Sequence, residues 1–141
     1  MEGTPVEILP GRMESDERGS SFFFFPEPVD LDLKSLHLVA TRPGQVRGNH
    51  AHPSRVEYLF FFGGRGVFAW EEGGEVRRID VAEAGPLVRI APGVKHAYQN
   101  TGDSISYILA CWGPREAAGP DRVSAEVLPQ GELPQGLHGH A

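Results

Sequence analysis

The chain has 141 residues and a formal net charge of −6, with 40% hydrophobic and 23% charged residues. A chain of this length buries one core, so we expect a single domain over residues 1–128. The acidic balance argues against a nucleic-acid partner, because binding to a phosphate backbone needs a basic face. The longest apolar run, residues 58–62, is too short to cross a membrane. The N-terminus lacks the basic and apolar regions of a secretory signal, which indicates a cytoplasmic protein.

Short strands separated by turns account for most of the chain. The 18 glycines and 12 prolines interrupt it at short intervals, and no window sustains helical periodicity over three turns. This pattern predicts an all-β protein, and eight or more short strands in a small chain must form a barrel or a sandwich. The predicted strands are residues 6–9, 21–25, 35–42, 46–52, 57–62, 66–71, 75–80, 87–90, 96–100, 105–112 and 125–128.

Four consecutive phenylalanines at residues 22–25 place two rings on each face of one predicted strand. Such a strand suits burial on both sides, and a small monomer seldom has cover for both. We therefore expect a homodimer with this strand at its interface. The alternative is that one pair of rings meets an edge loop of the same chain.

Two imidazoles and a carboxylate follow within a short segment. His50 and His52 are two residues apart, so both leave the same side of an extended strand. Glu57 has the opposite parity, but the Pro-Ser turn at 53–54 can reset it before a second strand begins. His96 comes directly after a Pro-Gly turn and supplies a fourth ligand. Taken singly, each could be an unrelated surface or core histidine, whereas together they indicate a metal site.

Three neutral imidazoles and one carboxylate suit one divalent transition metal: zinc, iron, manganese, nickel or copper. Calcium and magnesium prefer all-oxygen shells. His138 and His140 repeat the His-x-His spacing, but they lie in the Gly-, Pro- and Gln-rich segment 129–141, which we expect to be disordered. The single cysteine, Cys111, lies in an alternating apolar run and is predicted to be a small buried residue rather than a nucleophile.

The histidine-bearing segments resemble the two sequence motifs of the cupin superfamily. The two matching patterns are Gly44-x5-His50-x-His52-x4-Glu57-x6-Gly64 and Gly93-x2-His96-x3-Asn100. In the second motif of the family, the proline usually stands one residue earlier than it does here. The resemblance implies a cupin double-stranded β-helix, which is a jelly-roll barrel.

Two further runs narrow the resemblance to the sugar-nucleotide branch of the cupins. They are Asp-Glu-Arg-Gly-Ser at residues 16–20 and Arg-Gly-Asn-His at residues 47–50. This branch includes dTDP-sugar 3,5-epimerases, 3,4-ketoisomerases and the C-terminal cupin domain of capsular-polysaccharide reductase/epimerases. The ketoisomerases share Arg-Gly-x-His-Ala-His but typically lack the glutamate and the later histidine, so this chain resembles the capsular domain more.

The resemblance implies an enzyme of carbohydrate biosynthesis that abstracts a proton next to the carbonyl of a nucleotide-linked keto sugar, giving epimerisation or ketoisomerisation. His50 matches the base of metal-free relatives, and because a metal-bound imidazole cannot also be a free base, its two roles exclude each other. Arg47 matches an arginine that helps hold the sugar nucleotide in this branch, and Arg18 matches one that contacts the nucleotide diphosphate. Without the resemblance, Arg47 could be a surface charge and Arg18 part of a polar turn. Arg47 lies on the strand face opposite His50 unless Gly48 introduces a bulge.

Strand parity adds two candidates beside His96. Tyr98 and Asn100 share its face, so Tyr98 is a candidate acid or hydrogen-bond donor and Asn100 a candidate substrate contact. Tyr98 could equally pack in the barrel wall. The alternative function is a small metal-dependent cupin of other chemistry, such as a dioxygenase or another isomerase, or a non-catalytic binding module, because one barrel hosts many functions.

Overall fold

The structure, a computed structural model, describes residues 4–25 and 27–130. Twelve strands and no helix occupy these residues, which confirms the all-β prediction. The strands are β1 (Val6–Leu9), β2 (Arg12–Asp16), β3 (Gly19–Phe23), β4 (Asp32–Thr41), β5 (Val46–Ala51), β6 (Glu57–Phe62), β7 (Gly66–Glu72), β8 (Glu75–Val81), β9 (Ala84–Ile90), β10 (His96–Asn100), β11 (Ser106–Trp112) and β12 (Val123–Ser124).

Two antiparallel five-stranded sheets form the predicted jelly-roll barrel. One sheet has the order β1-β9-β6-β11-β4, and the other has the order β12-β5-β10-β7-β8. Strands β2 and β3 form a separate hairpin. Sequence neighbours β5 and β6 thus lie in different sheets, as do β9 and β10, so the segments that carry the histidines and the glutamate face one another across the barrel.

Alternation along the strands builds the core between the two sheets. Leu59 and Phe61 on β6 point inward, as do Phe68 and Trp70 on β7, and all four belong to one buried cluster. Phe61 and Phe68 are 1% and 0% exposed, with ring centroids 5.4 Å apart. This period of two is the pattern that predicted the strands.

The phenylalanine run covers the outer face of β6. The ring centroids of Phe22 and Phe24 lie 4.4 and 5.0 Å from that of Phe60. Phe23 points the other way and is 47% exposed, with the Arg12 guanidinium 4.4 Å from its ring centroid. Regular pairing ends at Phe23, two residues before the predicted end of this strand. One chain therefore covers one face of the run, and the homodimer stays a prediction.

Within the described residues, no helix is long and apolar enough to span a membrane. Cys111 is a buried free cysteine, as predicted. The predicted disordered segment falls outside the described residues from residue 131 onward, together with His138 and His140.

Candidate metal centre

Four residues predicted as ligands converge at one end of the barrel. His50 lies on β5, His52 follows that strand, Glu57 begins β6 and His96 begins β10. One ligand atom from each lies within 4.8 Å of the others, and these four residues are the His/Glu cluster. His50 and His96 are direct partners on neighbouring strands, and the turn at residues 53–54 brings Glu57 into the opposite sheet. The parity argument from the sequence is confirmed.

Backbone carbonyls orient two of the imidazoles. His52 Nδ1 lies 2.9 Å from the Asp121 carbonyl oxygen, and His96 Nδ1 lies 2.9 Å from that of Val94. A carbonyl oxygen only accepts, so each Nδ1 carries a proton, and in the neutral form of each ring Nε2 is the nitrogen that presents a lone pair. Those Nε2 atoms lie 3.4 and 3.2 Å from Glu57 Oε1. With both rings neutral, two imidazole nitrogens and one carboxylate oxygen face one point, as the ligands of a bound transition metal do.

Glu57 is 5% exposed and is held at both carboxylate oxygens. Trp112 Nε1 donates a 2.8 Å hydrogen bond to Oε2, which leaves Oε1 facing the two imidazoles. Burial alone would raise the pKa of Glu57, but the hydrogen bonds and positive charges of His52 and His96 outweigh it and lower that pKa. The carboxyl group is therefore ionised at neutral pH.

The pKa values of His50 and His52 are shifted in opposite directions. Burial, together with the charges of His96 and His52, lowers the pKa of His50 to about 4. Burial also acts to lower the pKa of His52, but its hydrogen bond and attraction to Glu57 outweigh burial and raise that pKa. At neutral pH, His50 is a neutral imidazole with a free lone pair, as a metal ligand requires.

An open cavity of about 420 Å³ leads to the cluster, within the range of small-molecule sites. Two residues of its wall, His37 on β4 and Arg122 just before β12, were not predicted as site residues. His37 lies in a predicted strand, but the sequence did not indicate on which face of that strand its side chain lies. Arg122 carries no sequence signal, because its position depends on the pairing of β12 with β5, which lies more than 70 residues earlier in the chain.

A β-bulge at Asn49 brings Arg47 to the cavity. His96 pairs with His50, whereas Ala97 pairs with Gly48, so Asn49 is the extra residue. Gly48 and Asn49 have φ values of 84° and 55°, a region that glycine and asparagine tolerate best. The bulge that the sequence left open at Gly48 is therefore present, and Arg47 lines the cavity while donating a 2.7 Å hydrogen bond to the Ala40 carbonyl.

The side chain of Asn49 fixes the C-terminal segment. Its Oδ1 accepts hydrogen bonds of 2.9 and 3.0 Å from the backbone N–H groups of Val127 and Leu128, and its Nδ2 donates to the Leu128 carbonyl at 2.8 Å. The Ala125 N–H also donates to the Asn49 carbonyl at 2.8 Å. The Gly-Asn pair was a local signal for the bulge, but its partner segment could be found only from the structure.

Three other predicted site residues lie apart from the cluster. Tyr98 lines the cavity, yet its hydroxyl is hydrogen-bonded to Ser106 Oγ at 2.6 Å, and its role as an acid stays a prediction. Asn100 is 0% exposed, and its amide is engaged by backbone groups of Thr41, Gly102 and Ser104.

Arg18 lies in the exposed turn of the β2–β3 hairpin, where it pairs with Asp16 at 2.6 Å. It lines a separate polar depression and is not part of the wall of the cavity that leads to the cluster. A role for Arg18 in substrate binding therefore stays a prediction.

Comparisons with known proteins agree with this arrangement. A family model described as a cupin domain matches residues 37–112. A search of curated proteins found no significant match. The chain is similar to the solved structure of a dTDP-sugar isomerase from Desulfovibrio desulfuricans G20, with a TM-score of 0.72 and 16% identity over 86% of this chain and 84% of that one.

Two more solved structures are similar. One is the 3,4-ketoisomerase QdtA from Thermoanaerobacterium thermosaccharolyticum in complex with TDP, with a TM-score of 0.62 and 16% identity over 84% of this chain and 87% of that one. The other is the capsular polysaccharide assembling protein CapF from Staphylococcus aureus, with a TM-score of 0.59 and 25% identity over 84% of this chain. The chain spans 33% of the length of CapF.

Proposed function

Because the chain belongs to the cupin family, we propose that its His/Glu cluster binds one divalent transition metal and that the protein is a sugar isomerase. The reaction would be epimerisation or ketoisomerisation of a nucleotide-linked keto sugar, by removal and return of a proton next to the carbonyl. The proposal depends on the cluster and on the cavity that leads to it.

The convergence of acceptor atoms on one point is the observation that supports a metal. In their neutral forms, His52 and His96 direct Nε2 lone pairs at the carboxylate oxygen of Glu57, while backbone carbonyl oxygens accept hydrogen bonds from both Nδ1 atoms. Nitrogen and oxygen donors of this kind suit zinc, iron, manganese, nickel or copper. A bound ion would act as a Lewis acid that polarises the sugar carbonyl.

We assign His50 the role of ligand and His37 that of proton acceptor. A pKa of about 4 leaves His50 neutral for ligation, but it makes a weak base for proton abstraction at neutral pH. His37 lies on the opposite sheet and lines the same cavity. Its Nδ1 donates to the Ser35 carbonyl at 2.6 Å, so Nε2 carries the free lone pair.

The proposed substrate class follows solved proteins of this fold. One is a dTDP-sugar isomerase and another is a ketoisomerase bound to TDP. The cavity of this chain is open and of ligand size, and its wall combines apolar side chains with two arginines and four histidines. Such a wall suits a polar, negatively charged ligand better than an apolar one.

We also propose that the protein is a homodimer. Leu33, Leu36 and Leu38 on the edge strand β4 are 70%, 51% and 57% exposed, and Phe23 is 47% exposed. Leu33 and Leu36 share one apolar depression with Phe24 and Phe25, and exposed apolar patches mark interaction surfaces. Light scattering coupled to size exclusion should give twice the chain mass, and a monomer at micromolar concentration would contradict the dimer.

Metal content tests the first part of the proposal. Protein purified without a metal-affinity column should contain close to one transition-metal ion per chain by elemental analysis. His52→Ala should lose this ion, whereas His37→Ala, which alters a cavity histidine outside the cluster, should retain it. Retention of metal at the wild-type level in His52→Ala would contradict the ligand set.

Isotope exchange tests the second part. The metal-loaded protein, incubated in deuterated water with a panel of 4-keto nucleotide sugars, should incorporate deuterium next to the carbonyl of at least one sugar. Chelation should stop the exchange. Absence of exchange with every sugar, in protein that holds its metal, would refute the sugar-isomerase assignment and favour a cupin of other chemistry.

A further inference from the structure

We propose that Arg122 is an anion-binding residue of the cavity and holds a phosphate group of the substrate. The inference rests on the proposed function, because it assumes that the ligand reaches the His/Glu cluster through this cavity. It names the part of the ligand that Arg122 recognises.

Strand pairing places Arg122 beside the cluster. In the register of β12 with β5, Ser124 is opposite His50 and Val123 is opposite Ala51. One step further, Arg122 comes next to His52, whose Nδ1 donates to the carbonyl of the neighbouring Asp121. Arg122 therefore lines the cavity beside a ligand, although it stands 70 residues away in the chain.

The backbone that carries Arg122 is anchored on both sides. On one side, the Asp121 carbonyl accepts the hydrogen bond from His52. On the other, Asn49 binds the backbone of Val127 and Leu128, whose side chains are 7% and 2% exposed. The backbone of Arg122 is therefore fixed relative to the cluster, so ligand binding loses less conformational entropy than it would if Arg122 were on a flexible loop.

The charge of Arg122 is not neutralised. The adjacent carboxylate, that of Asp121, is paired with Arg115. Among the described residues, no hydrogen-bond or ion-pair partner is seen for the Arg122 guanidinium, which leaves its donors available. Glu57 is the one acid in the cavity wall and it belongs to the cluster. Arg122 therefore presents an uncompensated positive charge to whatever enters.

Arg47 supplies the second positive charge on the same wall. The bulge at Asn49 places Arg47 on the cavity side of β5, beyond His50 and away from Arg122. Its one hydrogen bond is to a neutral carbonyl, that of Ala40, so its charge is also unpaired with an acid. Two arginines against one glutamate give this wall an excess of positively charged side chains, although the whole chain carries −6.

A phosphate group fits this wall best. A guanidinium group donates parallel hydrogen bonds to phosphate oxygens, and phosphate presents several charged oxygens to receive them. Phosphate could come from the diphosphate of a nucleotide or from a sugar monophosphate. Both present the same oxyanion to Arg122, so the choice between them is made by the binding experiment.

The test compares two matched arginine variants of the metal-loaded protein. Arg122→Met removes the proposed contact, and Arg78→Met removes an exposed arginine on β8 that is not part of the cavity wall, with the same change in net charge. Isothermal titration would use TDP, a hexose 6-phosphate and uncharged thymidine. Equal metal content in all three proteins shows that the cluster is intact.

We expect Arg122→Met to weaken binding of the phosphate-bearing ligand by about 10-fold to 100-fold, the size of a charge-assisted hydrogen bond. Arg78→Met should stay within about twofold of wild type, by the same conversion. Dependence on Arg122 for TDP alone identifies a nucleotide diphosphate, and dependence for the hexose phosphate identifies a sugar monophosphate. Unchanged binding of both ligands by Arg122→Met, or equal losses in the two variants, would overturn the subsite.

The subsite and the proposed function fail separately. Arg122-dependent binding of TDP by a protein that exchanges deuterium into no keto sugar would support the subsite and refute the isomerase. Deuterium exchange by Arg122→Met with an unchanged KM would overturn the subsite and support the isomerase. Arg122→Lys should recover part of the affinity, because it restores the charge without the planar fork.

Discussion

Trp112→Phe should weaken metal binding without altering any ligand. The Trp112 indole donates a 2.8 Å hydrogen bond to Glu57 Oε2, and its ring centroid lies 5.0 Å from that of His52. Phenylalanine keeps an aromatic ring next to His52 but has no N–H group. The substitution therefore leaves one oxygen of a carboxylate that is 5% exposed without its donor.

The size of the effect follows from the character of this bond. A hydrogen bond to a charged group contributes about 1.5–3 kcal/mol, which corresponds to about a 10-fold to 100-fold change in an equilibrium constant. The loss of residues that orient a metal ligand typically lowers metal affinity by about the same factor. We expect Trp112→Phe to reduce metal affinity by about 10-fold to 100-fold and the unfolding free energy of the metal-free protein by about 1.5–3 kcal/mol.

The chain contains a matched control in its other tryptophan. Trp70 Nε1 donates to Glu72 Oε1 at 3.1 Å, but the Glu72 side chain is 34% exposed and lies outside the cluster. Trp70→Phe should leave metal affinity within about twofold of wild type. The assay is competition for zinc with a chromophoric chelator, combined with urea unfolding of the metal-free proteins. Wild-type zinc affinity in Trp112→Phe, or an equal loss in Trp70→Phe, would refute the reasoning.

Four further predictions concern the cavity and the segment around it. His37→Gln should lower deuterium exchange by about 100-fold or more, as loss of a general base does, while elemental analysis finds the metal retained; undiminished exchange would exclude His37 as the base. Asn49→Ala should expose the segment around residue 128 to proteases and lower the unfolding free energy by about 2–4 kcal/mol, from three lost hydrogen bonds and a positive φ. Asn49→Gly separates the loss of hydrogen bonds from the strain of a positive φ, because glycine tolerates that φ. Wild-type stability in both variants would show that the Asn49 hydrogen bonds do not stabilise this segment. Metal affinity should fall as the pH decreases through the raised pKa of His52, while His50, with a pKa of about 4, stays neutral; affinity that is independent of pH between about 8 and about 5, where histidine normally changes charge, would contradict this assignment. Chelation should lower the melting temperature, because the ion binds the folded state alone, and an unchanged melting temperature would indicate that the cluster holds no metal.

Local patterns explain why so much of the barrel was predictable. Alternation of apolar and polar residues, interrupted by glycine and proline, marks strands such as β6 and β7 without knowledge of their partners. The spacing of His50 and His52 determines a shared face for the same reason, since side chains alternate along any strand. The β2 strand escaped prediction because its five residues are all exposed, so no alternation of apolar and polar residues marks it.

Tertiary structure alone decided which residues surround the ligands. Trp112, His37 and Arg122 come from β11, β4 and the segment before β12, and no local period relates them to the histidines. Their positions depend on which strands pair, and antiparallel pairing across more than 70 residues, as between β12 and β5, is set by the packing of the whole barrel rather than by nearby sequence. The His/Glu cluster was therefore encoded in the spacing of a few residues, whereas the groups that orient its side chains and line the cavity leading to it were determined by the fold.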